Sequence, residues 1–225
     1  LPITHYVPSE SIPKGDKTSD PLSVGITKQH HFYTRRNLEI LAAYRDLTRP
    51  LSYAFNLTST AQVASLMYRF RSQNGSLGAG GGPMNGTLYV PSLIKEIPAI
   101  KLLKEHIEKT FRMKRLISSR GGNVVTTGSM GKLYSVKDAS LDYIFVDPPF
   151  GGNLMYSELN FLTEGWLGVR TNSKPEAIEN KSQTKTLDAY RKLMTGCFEE
   201  AFLVLKPGRW MTVEFSNSQA AVWNA

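Results

Sequence analysis

The chain contains little cysteine and little histidine: of its 225 residues, one is a cysteine and four are histidines. Cys197 alone cannot form an internal disulfide or a cysteine-based zinc cluster, and this usage is typical of a reducing cytoplasm. His30 and His31 are adjacent, and no other cysteine or histidine stands at metal-ligand spacing from them. The sequence therefore predicts neither a metal site nor a disulfide-stapled secreted domain.

Long apolar runs are also missing. No segment approaches the roughly 20 apolar residues that cross a bilayer, and the first residues lack the basic and apolar regions of a secretory signal. We therefore expect a cytoplasmic protein with no membrane partner. The hydrophobic share of 41% and charged share of 20% are near globular averages, so the chain can bury a core. Because the chain begins at Leu1 and stops at Ala225 inside what reads as an unfinished helix, we expect it to be a segment of a longer protein.

The formal net charge of +8 is carried by the first half of the chain. Residues 1–116 contain 16 Lys and Arg against 8 Asp and Glu, a difference of +8, whereas residues 117–225 contain 11 of each sign. A local excess of cations suits a polyanionic partner such as nucleic acid, because Lys and Arg neutralise phosphates and release counterions. A basic surface that only aids solubility accounts for the same excess, and charge alone does not separate the two interpretations.

Residues 1–116 are predicted to form a basic, mostly helical region that begins with an extended arm over residues 1–25. A helix is predicted from Thr34 to Leu47. Arg35 and Arg36 lie in its first turn, where the helix dipole disfavours cations, so a bound phosphate or a simple surface pair must account for them.

A second helix is predicted from Thr58 to Arg71. It ends in alternating aromatic and basic residues, a pattern that suits nucleic-acid contact and also occurs on ordinary helices. The residues predicted to contact nucleic acid are therefore Arg35, Arg36, Arg69 and Arg71.

The glycine-rich residues 75–83 do not fit a phosphate-binding loop. Such a loop follows an apolar strand and precedes a helix, whereas here a polar segment precedes it and a predicted strand, Thr87 to Val90, follows. A connector is the better interpretation. A further helix is predicted from Ala99 to Arg115, and the cations of its last turn suit the helix dipole.

Residues 117–225 show the alternation of strands and helices that is typical of an α/β domain. Predicted strands cover Val124 to Thr127, Leu141 to Val146 and Trp210 to Phe215; predicted helices cover Tyr156 to Val169 and Leu187 to Leu205. This order predicts parallel strands joined by a right-handed βαβ crossover.

The strand from Leu141 to Val146 ends in Asp147-Pro148-Pro149-Phe150. Ligands of open α/β sheets bind outside the carboxyl ends of the strands. Consecutive prolines fix the backbone and lack N–H donors, so their carbonyl groups are expected to stay free to accept hydrogen bonds. The tetrad is therefore predicted to hold an amino group, although an acidic residue before proline also begins ordinary turns.

The residues around this tetrad, DYIFVDPPFGGNLMYSELNF, and the later segment LKPGRWMTVEFSNSQAAVWNA resemble the N6-adenine and N4-cytosine DNA methyltransferases with a [DNS]-PP-[YFW] tetrad, and more narrowly the large putative DNA methylases. The segments GITKQHHFYTRRNLEIL and GTLYVPSL resemble the same group, so the likeness extends over nearly the whole chain. It implies an α/β, Rossmann-like methyltransferase sheet, partial in this chain, with helices on both faces. Residues 117–225 would be the catalytic half, after a basic part, residues 1–116, that faces DNA.

The resemblance implies methyl transfer from S-adenosylmethionine to an exocyclic amine of a base rotated out of the duplex, adenine N6 before cytosine N4. Asp147 and the Pro148 carbonyl would accept the two N–H bonds, and Phe150 would stack on the base. Glycines permit close approach of a substrate to the backbone. No nucleophilic cysteine is needed, and Cys197, placed in the middle of a helix, is expected to be a buried thiol. Candidate residues of the base pocket are Gly151, Asn153 and Tyr156; the last two could equally be capping or core residues.

One departure concerns the methyl donor. The glycine-bearing donor motif of the family, Phe-x-Gly-x-Gly, does not occur in residues 1–225, and we expect it before Leu1 or, in a permuted order, after Ala225. The turn Thr127-Gly128-Ser129 is the remaining candidate for donor contact. Two alternatives stay open: an RNA guanine-N2 methyltransferase, and a nucleic-acid-binding subunit without catalysis. The expected partners are DNA and S-adenosylmethionine, and components of restriction-modification or phage defence also fit.

Overall fold

The computed structural model describes residues 3–48, 54–73, 76–77, 81–116 and 122–224. These residues form a mixed α/β structure with eight α-helices and two two-stranded sheets. The chain divides into two compact units: unit 1 contains Leu1–Gly122 and Glu158–Thr171, and unit 2 contains Asn123–Ser157 and Asn172–Ala225. No helix of the described residues has the length and apolar character needed to cross a membrane.

Unit 1 is mostly helical. A short 3₁₀ turn, Gln29–Phe32, precedes its second helix. An antiparallel pair of two-residue strands, β1 (Ser72–Gln73) and β2 (Ser76–Leu77), is its described sheet. Its helices are α1 (Ser19–Ser23), α2 (Arg35–Thr48), α3 (Ala54–Val63), α4 (Ala99–Leu116) and α6 (Phe161–Leu167), and α5 (Tyr156–Leu159) begins in unit 2 and ends in unit 1.

The arm predicted over residues 1–25 packs on unit 1 and contains α1. The Ile12 amide donates to the Thr27 carbonyl (2.9 Å), and the Gln29 amide donates to the Glu10 carbonyl (3.0 Å). Ile12 is thereby held in the core of the unit. The helices predicted at 34–47 and 99–115 are confirmed as α2 and α4.

The helix predicted from Thr58 to Arg71 is wrong at both ends, because α3 begins at Ala54 and ends at Val63. The Ser65 hydroxyl donates to the Gln62 carbonyl (2.7 Å) and accepts from the Met67 amide (3.3 Å), which replaces helical backbone bonds with local ones. The Leu66 amide then donates to the Phe32 carbonyl (2.7 Å) and draws the chain away from the helix axis.

Two predicted strands do not form. Residues 87–90 have no ladder partner, and the Tyr89 amide instead donates to the Thr87 hydroxyl (3.1 Å). Residues 124–127 are also without a ladder, and Val124 and Val125 are 87% and 95% exposed. Their apolar, β-branched character favours a strand, but among the described residues no neighbouring strand pairs with them.

The helix predicted from Tyr156 to Val169 is interrupted. Asn160 separates α5 from α6; its side chain makes no capping hydrogen bond, and its carbonyl accepts from the Glu164 amide (2.9 Å) as the first turn of α6 begins. The second piece, α6, packs in unit 1, and the largest fully buried side chains of that unit are Trp166, Phe32, Phe161, Leu41 and Leu57. Residues 158–171, which the sequence assigns to the predicted catalytic half, therefore belong to unit 1.

Unit 2 contains the parallel strands β3 (Leu141–Val146) and β4 (Leu205–Val213), the helix α7 (Leu187–Val204) between them, and the short helix α8 (Ala220–Trp223). The predicted parallel βαβ arrangement is confirmed, and β4 begins five residues earlier than expected. The handedness of the crossover and the Rossmann-like sheet stay predictions.

One face of the β3–β4 sheet is covered by α7, through Ile144, Ala201 and Val204. Helices were expected on both faces, but in the described part of unit 2 the opposite face presents Tyr143, Phe145 and Trp210, of which Trp210 is 78% exposed. Side chains alternate between faces along a strand, which explains why neighbouring residues of β3 differ so much in exposure.

The buried hydrogen bond between Trp166 and Tyr33 gives a test of the unit 1 core. The Trp166 indole N–H donates to the Tyr33 hydroxyl (2.9 Å), and burial raises the pKa of that hydroxyl. We expect Tyr33→Phe to lower the free energy of unfolding by about 1–3 kcal/mol, because the indole N–H loses its acceptor. Urea unfolding measures this.

Tyr89→Phe is the matched control, because Tyr89 is 41% exposed. It should change the free energy of unfolding by less than about 0.5 kcal/mol. Equal stabilities of the two variants would contradict the role given to the Tyr33 hydroxyl.

Candidate active site at the end of strand β3

Asp147 follows directly after the last residue of β3. The ladder pairs Val146 with Val213, and the Glu214 amide still donates to the Val146 carbonyl (2.9 Å). Beyond this bond the chain leaves the sheet, and Asp147 is exposed. Within the described part of the chain its carboxylate forms no hydrogen bond and no ion pair, so both oxygens are available to a ligand.

The two prolines differ in how their carbonyl groups are used. The Pro149 carbonyl accepts from the Tyr190 hydroxyl (2.9 Å) and from the Gly151 amide (3.2 Å), so the expectation that it stays free is wrong. Burial raises the pKa of Tyr190, which keeps its hydroxyl protonated as a donor. The Pro148 carbonyl accepts no hydrogen bond from the described residues. The corner therefore offers one carboxylate and one carbonyl.

Phe150 is fixed through its backbone and its ring. The Asn217 side-chain amide donates to the Phe150 backbone carbonyl (2.9 Å), and the Trp223 indole N–H donates to the Asn217 backbone carbonyl (2.6 Å). The ring of Phe150 makes an edge-to-face contact with Phe215 (5.2 Å between centroids), which makes a second one with Trp223 (4.9 Å). Such contacts stabilise by about 0.5–1.5 kcal/mol each beyond area burial. Phe150 remains half-buried, with part of its surface accessible.

A cavity of about 350 Å³ lies beside this aromatic cluster. Its volume is within the range of small-molecule sites. Phe215 and Trp223, which anchor Phe150, form part of its wall, and α7 and the end of β4 supply much of the rest, including Tyr190, Met194, Phe198 and Val213. The cavity therefore shares Phe215 with the aromatic cluster that holds Phe150, and no residue of the tetrad lines it.

Gly151 is buried in a left-handed conformation (φ +65°), and its carbonyl accepts from the Glu179 amide (3.2 Å). A Cβ at this position would lie 3.2 Å from Val222. Asn153 and Tyr156 are exposed, and neither makes a side-chain hydrogen bond to a described residue. They are therefore not core residues, and their role in a base pocket stays a prediction.

The candidate donor residues Thr127, Gly128 and Ser129 are all exposed and precede no glycine-rich turn. The Ser129 hydroxyl accepts from the Gly131 amide (3.2 Å), so it belongs to a local turn. This segment was expected to end a strand, and the absence of a ladder leaves it without the crevice that a strand end provides. Thr127, Gly128 and Ser129 therefore do not form a fitting site for S-adenosylmethionine.

The four predicted nucleic-acid residues have different surroundings. Arg35 pairs with Glu39 (3.1 Å) and Arg36 with Glu96 (3.0 Å), which supplies the surface pairing that was weighed against a bound phosphate. Arg69 lies outside any helix and donates through Nε to the Gly82 carbonyl (3.0 Å). Arg71 is exposed, and its side chain contacts no described partner by hydrogen bond or ion pair.

Cys197 lies in α7 and is partly buried, and burial raises the pKa of its thiol. A raised pKa keeps the thiol protonated and unreactive. The described residues contain no group of three or more His, Cys, Asp or Glu side chains that could hold a metal ion. The groups that the described residues present at the corner are the Asp147 carboxylate, the Pro148 carbonyl and the Phe150 ring.

Tyr190, Phe215, Asn217 and Trp223 brace the tetrad and were not among the predicted site residues. The helical period of α7 places Tyr190 on its inner face with Ala201 and Val204. That period alone does not reveal which strand end Tyr190 meets, because this depends on the crossover. Asn217 and Trp223 follow β4, so only the parallel pairing brings them to the tetrad.

The chain was compared with protein-family models, with curated proteins and with solved structures, and none of the three comparisons finds a match.

The conformation of Gly151 gives a test of the corner. Gly151→Ala should lower the free energy of unfolding by about 1–2 kcal/mol, because a residue with a Cβ is strained at positive φ. Denaturant unfolding followed by tryptophan fluorescence measures the change.

Gly196→Ala is the control, since Gly196 lies inside α7 and a Cβ there would meet nothing within 4 Å. This variant should gain up to about 1 kcal/mol from helix propensity. If the alanine at 151 were as well tolerated as the alanine at 196, the account of the turn would be wrong.

Proposed function

We propose that the chain is the base-gripping part of an S-adenosylmethionine-dependent DNA amino-methyltransferase that modifies adenine N6, or cytosine N4. The observation that carries the proposal is that a carboxylate, Asp147, and the next backbone carbonyl, Pro148, accept no hydrogen bond from the described residues and follow each other at the carboxyl end of the parallel strand β3. The Rossmann-like methyltransferase sheet belongs to the same proposal.

The chemistry explains why two acceptors side by side are useful. The lone pair of an exocyclic amine is delocalised into its ring, so the nitrogen is a poor nucleophile. Acceptance of both N–H bonds, by Asp147 and by the Pro148 carbonyl, favours a pyramidal nitrogen, whose lone pair is localised on the nitrogen and no longer shared with the ring. Positioning and electrostatics then supply the catalytic effect, with no covalent enzyme intermediate.

The everted base is proposed to stack on the accessible part of Phe150. Eversion costs a few kcal/mol of lost stacking and pairing, which contact with an aromatic side chain offsets. The edge-to-face contacts of Phe215 with Phe150 and Trp223 hold that ring in place before the base arrives. A fixed ring loses little conformational entropy on binding.

S-adenosylmethionine supplies the methyl group in this proposal. Thr127, Gly128 and Ser129 do not form a site for it, and we derive no step through the donor. DNA, components of restriction-modification or phage defence, and a cytoplasmic location are parts of the same proposal.

A second function, a nucleic-acid-binding subunit without catalysis, is favoured by one observation. The segment proposed to flank the donor, residues 124–129, is exposed throughout and has no strand ladder. A chain that binds a base but no methyl donor would keep the corner at Asp147 and lack a donor site. RNA as the substrate is a separate outcome of the experiment below.

Labelled methyl transfer from S-adenosylmethionine to duplex DNA and to structured RNA tests the proposal. We expect transfer to DNA, and we expect Asp147→Ala to reduce its rate by roughly 10²- to 10³-fold, the size of effect seen when one preorganised polar group is removed from an active site. Alanine removes both acceptor oxygens, whereas asparagine would keep one.

Asp138→Ala is the matched control, because Asp138 is an exposed carboxylate of the same unit with no described partner. Its rate should equal that of the unchanged protein. Transfer to RNA alone would replace DNA as the substrate, and binding of DNA with no transfer would favour the non-catalytic subunit. Full activity of Asp147→Ala would remove the proposed role of the carboxylate.

A further inference from the structure

A second surface of the protein contains cations that the site and the internal ion pairs do not use. Four basic residues of α4, Lys101, Lys104, Arg112 and Arg115, form what we call the α4 stripe. All four are exposed. Their side chains form no hydrogen bond or ion pair with a described residue, in contrast to those of Arg35, Arg36 and Arg69.

The helical geometry places the α4 stripe on one side of the helix. At 100° per residue its members fall within a sector of about 80°, and they extend over about 21 Å along the axis. One carboxylate, Glu108, lies in the same sector, so four positive charges and one negative charge give the sector a net charge of +3. Lys114 lies on another side of the helix and is not part of the stripe.

The opposite side of α4 is fixed against α3. His106 lies within hydrogen-bond distance of the Ser59 and Thr60 hydroxyls (3.1 and 2.8 Å), and the Thr110 hydroxyl donates to the Asn56 side-chain carbonyl (2.7 Å). These contacts set the rotation of α4 about its own axis. The stripe is therefore held facing solvent by the fold of unit 1.

The stability of α4 itself does not explain why cations occupy all four positions of the α4 stripe. The helix dipole favours cations in the last turn, which covers Arg115. Lys101 lies in the first turn, where the dipole disfavours a cation, and the structure places no carboxylate within ion-pair distance of it. Glu105 and Glu108 stand four residues after Lys101 and Lys104, yet neither forms an ion pair with them. The arrangement thus leaves cations available for an external polyanion.

We infer that the α4 stripe binds the sugar-phosphate backbone of double-stranded DNA. Charge complementarity carries this inference, because a duplex presents about one phosphate per 1.7 Å of its axis, more than enough to engage four cations along α4. An α-helix with its side chains is about 10–12 Å across and fits the major groove of B-form DNA, whereas the deep, narrow major groove of A-form RNA does not admit it. The choice of DNA rests on the proposed function.

The stripe assigns DNA contact to residues other than the four arginines expected from the sequence. Arg35 and Arg36 would each have to give up a carboxylate partner to meet a phosphate. The stripe residues have no such partner to lose. They would meet phosphates, so they are expected to add affinity without reading sequence.

The test measures equilibrium binding to a fluorescent DNA duplex, without methyl donor, over a series of salt concentrations. The variant replaces Lys101, Lys104, Arg112 and Arg115 with Gln. We expect its affinity to fall at low salt, and we expect the slope of log affinity against log salt to decrease by roughly 3 to 4, about 0.9 for each phosphate that the variant no longer neutralises. The same duplex made of RNA forms the second arm.

The matched control removes four exposed cations of unit 2 and therefore the same total charge. It replaces Lys137, Lys174, Lys181 and Lys192 with Gln, and it should keep a slope within about one unit of the unchanged protein. An unchanged slope in the α4 variant, or an equal loss in the control, would overturn the inference. RNA binding with an equal dependence on the stripe would overturn the choice of DNA.

Circular dichroism shows whether the α4 variant folds. If it does not, the single charge reversals Lys104→Glu and Lys137→Glu decide the matter, with loss of DNA affinity expected only for the first. The binding assay contains no methyl donor, so DNA binding that depends on the stripe, together with no methyl transfer, would count against the proposed catalytic function and leave the inference about the stripe standing. Failure of the stripe is thereby distinguished from failure of the proposed catalytic function.

Discussion

The parallel pairing of β3 with β4 is the constraint on which the candidate site depends. The hydrogen bond from the Glu214 amide to the Val146 carbonyl (2.9 Å) ends the ladder and leaves Asp147 as the first residue outside it. The same pairing brings Phe215 and Asn217 to the tetrad. Without this pairing, the residues that follow β4 would not lie next to Phe150, which follows β3.

The braces act on different atoms of one short segment. Tyr190 holds the Pro149 carbonyl, Asn217 holds the Phe150 carbonyl, and Phe215 holds the Phe150 ring. Asp147 and the Pro148 carbonyl are left without partners among the described residues. A segment that is fixed at its far end and open at its near end is preorganised for a ligand, because binding requires little further ordering.

Much of the architecture could be predicted from local sequence. The apolar spacing of α2, α4 and α7 and the apolar run of β3 indicate the type of each element, because this pattern lies within the element's own sequence. The α7 helix ends at Val204, one residue before the predicted end, and Pro207 and Gly208 lie in β4. The end of α3 could not be predicted, because the competing hydroxyl of Ser65 and the tertiary bond from Leu66 to Phe32 decide it.

The candidate site likewise contains residues that local sequence reveals and residues that only the tertiary fold brings together. Asp147 and its prolines are recognisable because chemistry-bearing residues directly follow an apolar strand. Tyr190 and Trp223 lie far from them in sequence and need the tertiary fold. The segment at residues 124–129 has the composition of a strand, but a strand is stable only with a ladder partner, and no local pattern supplies that information.

The central claim is that Asp147 and the Pro148 carbonyl direct an exocyclic amine. Mass spectrometry of nucleosides from DNA treated with the protein and S-adenosylmethionine tests it most directly, because the method identifies the methylated atom. The account predicts N6-methyladenine or N4-methylcytosine. A methyl group on a ring carbon of the base or on the sugar would contradict it.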